Sequence, residues 1–125
     1  MGMIRSFEDL TVKGFDVQEG IKLCGDDEEI YMEVLWAAME EGKEKIPLIR
    51  SVYEAKDFER YRIEVHGLKN AMRSIGATYL SQLAAEQETA VKEENYSVME
   101  VGVEEMLTQY QFVVDALKEL LGEAD

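Results

Sequence analysis

Proline, cysteine and histidine each occur once in this chain, and no apolar run approaches the roughly 20 residues that a membrane span requires. A single Cys24 cannot close an internal disulfide, which fits a reducing cytoplasm as the expected compartment. No histidine or basic cluster adjoins it in sequence to activate the thiol, so it reads as a small buried hydrophobe. The N-terminus carries Arg5 but no apolar stretch behind it, and does not read as a signal peptide. There is no glycine-rich nucleotide loop, which argues against a kinase. No alternation of strand and helix patterns supports a receiver-type α/β domain. Metal ligation is poorly supported, because one histidine and scattered carboxylates show no paired-ligand spacing.

Cations are also scarce. Thirteen Lys and Arg face 27 Asp and Glu, for a formal charge of −14. Phosphate backbones and anionic lipid heads repel such a chain, so neither nucleic acid nor membrane insertion is expected. The deficit is uneven. Residues 56–75 hold five cations (Lys56, Arg60, Arg62, Lys69, Arg73) against three anions (Asp57, Glu59, Glu64), a net of +2 that leaves −16 for the rest. That positive island contains the one histidine, His66.

At 125 residues the chain is expected to form one domain with a single core. Its apolar residues recur at helical spacing throughout, and no strand pattern, internal repeat or low-complexity tract competes. A short segment follows Asp16 as N-cap and ends at Gly25. A second begins at Asp26 or Asp27, with Glu28 and Glu29 in its first turn, and carries Ile30, Tyr31, Val34, Leu35, Ala38 and Met39 inward. Gly42 and Pro47 are expected to interrupt it, with Pro47 in the first turn of a continuing helix that stops near Lys56. Trp36, beside the stripe, is expected to be half-buried. From Asp57 to Ile75 the spacing of Phe58, Tyr61, Val65, Leu68, Met72 and Ile75 predicts an amphipathic helix, with Gly76 as its breaker. Two more segments follow, about 77–94 and 96–121. Leu80, Leu83, Ala84 and Val91 face inward on the first, and Met99, Val103, Met106, Tyr110, Val113, Leu117 and Leu120 on the second. The expected fold is all-α: an antiparallel four-helix bundle with a short additional N-terminal helix, spanning residues 16–125 behind an N-terminal extension of residues 1–15.

On a helical wheel His66 lies roughly 130° from the centre of its helix's apolar stripe, on the solvent side. Arg62, Lys69, Asn70 and Arg73 share its face or its shoulder. The cations disfavour an imidazolium, and a neutral, solvent-reachable imidazole is a competent nucleophile. Lys69 and Arg73 could hold the oxygens of a phosphoryl group placed on it. An exposed histidine among lysines can also be an ordinary solvated residue, and this geometry leaves both readings open.

The stretch HGLKNAMRSIGA, residues 66–77, resembles the signature of histidine-containing phosphotransfer (HPt) domains, through His66, Leu68, Lys69, Ile75, Gly76 and Ala77. The likeness extends over GDDEEIYMEVLWAAMEEGKEKIPLIRSVYEAKD upstream and YLSQLAAEQETAVKEEN downstream, about residues 16–121 in all. It implies a cytoplasmic two-component phosphorelay module, a phosphoryl carrier and not an autonomous kinase or phosphatase. His66 would be the phosphoryl acceptor through its outer ring nitrogen, with Lys69 as electrostatic support. Arg62, Asn70 and Arg73 are candidate contacts to receiver or phosphate. Asn70 stands where many members have glycine; Gly67 either opens backbone access to a partner or is incidental. The implied partners are a response-regulator receiver domain or a hybrid sensor kinase. No cofactor is expected on this chain, Mg²⁺ is expected on the receiver, and a monomer is expected. Ile63 and Ala71 are candidates for a docking patch. An amide from the next helix faces the histidine in some members; Gln82, Gln87 and Glu88 lie in that region, and the spacing does not choose among them. The competing readings are a helical interaction module without phosphotransfer, and a homodimer built on the last apolar stripe.

Overall fold

The computed structural model describes residues 6–122; the Arg5 region and the last three residues lie outside it. Six helices follow one another: α1 (Phe7–Val12), α2 (Val17–Leu23), α3 (Glu28–Glu54), α4 (Phe58–Ser74), α5 (Thr78–Lys92) and α6 (Tyr96–Leu121). No strand occurs among the described residues. The four long helices form an antiparallel bundle in which α3 packs on α4, α4 on α5, α5 on α6, and α6 back on α3.

Short polar side chains set the helix starts. Asp16, Asp27, Asp57 and Asn95 each accept a backbone N–H from the first turn of α2, α3, α4 and α6, satisfying donors that have no partner within the helix. The apolar faces close on a core that includes Tyr31, Leu35, Met39, Tyr61, Val65, Met72, Leu80, Met99, Met106 and Leu117. Phe58, Val91 and Leu120 pack against it half-covered, Cys24 does likewise, and Trp36 stays about half exposed.

Two expectations change. The segment ahead of Asp16 contains α1, and Leu10 and Phe15 are buried in the common core, so the expected extension is packed against the bundle from at least Leu10 onward. The break at Gly42 and Pro47 does not form: α3 runs unbroken for 27 residues. Gly42 is buried against α6, since a Cβ there would lie 2.5 Å from Val114 Cγ2 and 3.0 Å from the Tyr110 ring. Glycine at 42 is thus a packing residue and not a helix terminator. Pro47 is exposed, so the carbonyl left without its donor can face water.

The α4–α5 corner is tightly packed. Gly76 has φ +82°, and a Cβ there would fall 2.2 Å from the carbonyl oxygen of Asp16. The Asp16 N–H donates to Gly76 O at 2.8 Å, and the Tyr31 hydroxyl donates to Ile75 O at 2.7 Å. Together α2 and α3 clamp the corner that sets how α5 returns along α4.

Candidate functional site

His66 sits in the middle of α4, on a helix whose buried residues Tyr61, Val65, Leu68 and Met72 leave its side chain outward. The imidazole is 51% exposed, but it is not bare. From α5, Glu88 reaches it with Oε2 2.6 Å from Nδ1. The other carboxylate oxygen accepts from Lys69 Nζ at 2.7 Å, and Lys92, one turn further along α5, lies 3.5 Å from Oε2. Glu88 is only 5% exposed. Burial pushes its carboxyl up, but the hydrogen bonds from Lys69 and His66 and the charge of Lys69 outweigh that and hold it at about 2.

A carboxylate held so low is ionised and can only accept, so Nδ1 of His66 carries the hydrogen in this bond. The outer nitrogen, Nε2, then presents its lone pair outward, and Asn70 Nδ2 donates to it at 3.3 Å. The ring is therefore clamped on its inner side and open on its outer side, and its orientation follows from contacts on two helices.

Lys69 is engaged with Glu88 beside the ring, and Asn70 touches it. Arg62 pairs with Glu59 at 2.7 Å, so its head group is committed one turn before the histidine. Arg73 is exposed and lines a concavity between α4 and α5 with Lys69, Asn70, Ser81 and Gln82. Gly67 is exposed, with nothing within 4 Å of where a Cβ would stand, so it leaves the surface beside the histidine low. On its other flank Ile63, 52% exposed, and Ala71 border a shallow hollow with Gly67 and Leu68, crossed by the Lys45–Glu64 ion pair at 2.8 Å. A surface cavity of about 570 Å³ lies elsewhere, among Tyr53, Phe58 and Tyr96, and contains no histidine. The site is a helix face, not a pocket.

The sequence pattern pointed to unpaired cations around His66; the structure instead interposes a carboxylate. Glu88 and Lys92 are the residues that spacing left unassigned. The signal was present: Glu88 stands four residues after Ala84, on the inward side of α5, where a carboxylate needs partners. Of the other two candidates there, Gln82 is exposed and Gln87 is buried away from the ring.

A four-helix bundle that displays one oriented imidazole on an open face defines a small class, in which the reacting partner must supply the rest of the site. The family model of the Hpt domain matches residues 33–124, and the chain belongs to that family. Neither a curated protein nor a solved structure matches the chain. Hpt domains act as phosphoryl carriers in phosphorelays and meet receiver domains and kinases. Among the described residues, no helix is long and apolar enough to cross a membrane.

Proposed function

We propose that this protein accepts a phosphoryl group on Nε2 of His66 from the aspartyl phosphate of a receiver domain and passes it to another receiver. The observation that carries the reading is the His66 Nδ1–Glu88 contact, because it leaves the lone pair on the nitrogen that faces solvent. In the forward step that lone pair attacks phosphorus, the bond between phosphorus and the aspartyl carboxyl oxygen breaks, and the aspartate leaves as a carboxylate with the electron pair. No proton has to leave Nε2. The ring becomes a phosphoimidazolium that keeps its Nδ1 hydrogen on Glu88, whose charge offsets the positive charge the ring acquires. Reversal of the same bonds transfers the group onward.

Lys69 lies beside the ring to steady phosphoryl oxygens, and Asn70, already at Nε2, is placed to donate to them. Arg73 is exposed next to both, and Gly67 with Ile63 and Ala71 offers a low, partly apolar surface for the partner. Charge on the transferring group is expected to be neutralised on the receiver's side, by Mg²⁺ held there. A cytoplasmic monomer suits a carrier that must meet two partners in turn. The bundle and Gly67 would equally suit an interaction module without transfer, and the clamped ring favours the carrier.

The test is transfer of labelled phosphate from phosphorylated receivers to the protein, with His66→Gln alongside. Label on the wild type alone, lost in acid and retained in alkali, is the expected result. Absence of label from every receiver of the same genome would reject the proposal.

A further inference from the structure

We infer that Gln87 is a positioning residue for the histidine: its buried amide sets the rotation of α5 that aims Glu88 at Nδ1. The inference rests on the phosphotransfer reading only for its consequence on rate, and not for its geometry.

Gln87 is 2% exposed, unusual for an amide, and both ends of the group are used. Its Oε1 accepts from the Tyr61 hydroxyl of α4 at 2.6 Å, and its Nε2 donates to Val98 O of α6 at 3.3 Å. One side chain thereby ties α5 to both neighbours. Tyr61 is itself fully buried, so its hydroxyl needs this acceptor as much as the amide needs the hydroxyl. Space for the amide is made from the far side: a Cβ on Gly102 of α6 would lie 2.4 Å from Gln87 Nε2.

Glu88 is the next residue, about 100° round the helix and 1.5 Å along it. A rotation of α5 that moved Gln87 would therefore move the Glu88 carboxylate by a similar angle. Apart from the bonds of Glu88 itself to His66 and Lys69, α4 and α5 are also tied by Ser81 Oγ, which donates to Lys69 O at 2.9 Å about two turns away. It sets the spacing of the helices near the corner and leaves the Glu88 end to Gln87. Where geometry decides whether a lone pair faces the partner, displacements of an ångström matter.

The protein has a single histidine, so ¹⁵N-histidine labelling gives the ring signals of His66 alone. In the wild type, spectra taken near pH 9, where imidazoles are neutral, should show hydrogen on Nδ1. Two variants disturb the clamp from opposite sides: Gln87→Leu removes the amide, and Gly102→Ala pushes on its end. Alanine is the better helix former at 102, so any effect there comes through the amide and not the backbone. Val113→Ala, a core truncation on α6 away from the clamp, controls for loss of stability.

Both clamp variants are expected to shift the ring toward hydrogen on Nε2 and to slow phosphoryl acceptance on the order of 10- to 100-fold, while Val113→Ala keeps the wild-type ring. If Gln87→Leu does not fold, Gly102→Ala decides alone, by the same criterion. A folded clamp variant that retains the wild-type ring signals overturns the inference. The ring signals need no receiver, so failure of the wild type to take up phosphate would reject the proposed function and leave the positioning result standing.

Discussion

A carboxylate as buried as Glu88 ordinarily resists ionisation, since leaving water disfavours the charge. It stays ionised because Lys69 and His66 bond its two oxygens, and the balance places its carboxyl at about 2 rather than 4.5. Folding therefore favours the ionised form, and the stability this contributes is complete above the ordinary carboxylate range and lost as pH falls toward 2. The shift corresponds to up to about 3 kcal/mol. The difference in unfolding free energy between wild type and Glu88→Gln should thus shrink by up to that amount as pH falls from about 5 to about 2. Urea unfolding at a series of pH values measures it, and a difference that does not vary with pH would contradict the assignment. At neutral pH Glu88→Gln should also slow phosphoryl acceptance, on the order of 10- to 100-fold, because an amide can meet either ring tautomer. His66→Gln should abolish it.

At the scale of a helix, α3 shows two residues with similar reputations in opposite roles. Proline and glycine both disfavour helix interiors, and from spacing alone both read as breaks. In place, Gly42 packs directly against Val114 and Tyr110 of α6, and Pro47 lies on the outside. Substitution by alanine should then give opposite signs. Pro47→Ala restores a backbone hydrogen bond at an exposed position and should raise stability by about 2 kcal/mol. Gly42→Ala gains helix propensity but forces Val114 and Tyr110 to yield, and should lower stability by about 1–3 kcal/mol. Denaturant midpoints of the two variants against wild type decide this. Two stabilising changes would show that the propensities alone govern α3.

Across the whole molecule the net charge of −14 works against compactness, because like charges are drawn together on folding. Surface ion pairs such as Lys43–Glu40 and Arg62–Glu59 offset little of this in water. Screening should therefore help: raising salt from about 10 to about 150 mM shortens the Debye length from about 30 to about 8 Å and should raise the melting temperature. A fall would mean that the ion pairs contribute more than the repulsion costs. Against that surplus α4 stands out as a helix whose own cations outnumber its anions.

Fold class, helices α2, α4, α5 and α6, the helical character of α3 though not its continuity, and the outward turn of His66 were legible because each follows from local periodicity: a stripe of apolar residues must be buried, and its opposite face must be wet. The caps Asp16, Asp27, Asp57 and Asn95 act within their own turn, and the first three could be read from neighbouring residues. Other features needed distant parts of the chain to meet. Leu10 and Phe15 are core only because α1 finds the bundle, and Gly42 is a contact only because α6 arrives beside it. The state of the histidine belongs to this second kind. Glu88 is 22 residues from His66, and whether it meets the ring depends on the rotation of α5. That rotation comes from the Tyr61–Gln87–Val98 tie and the Gly76 corner, which no spacing within one helix specifies. Periodicity determines which face of a helix is wet; only packing between helices determines what stands beside a residue on that face.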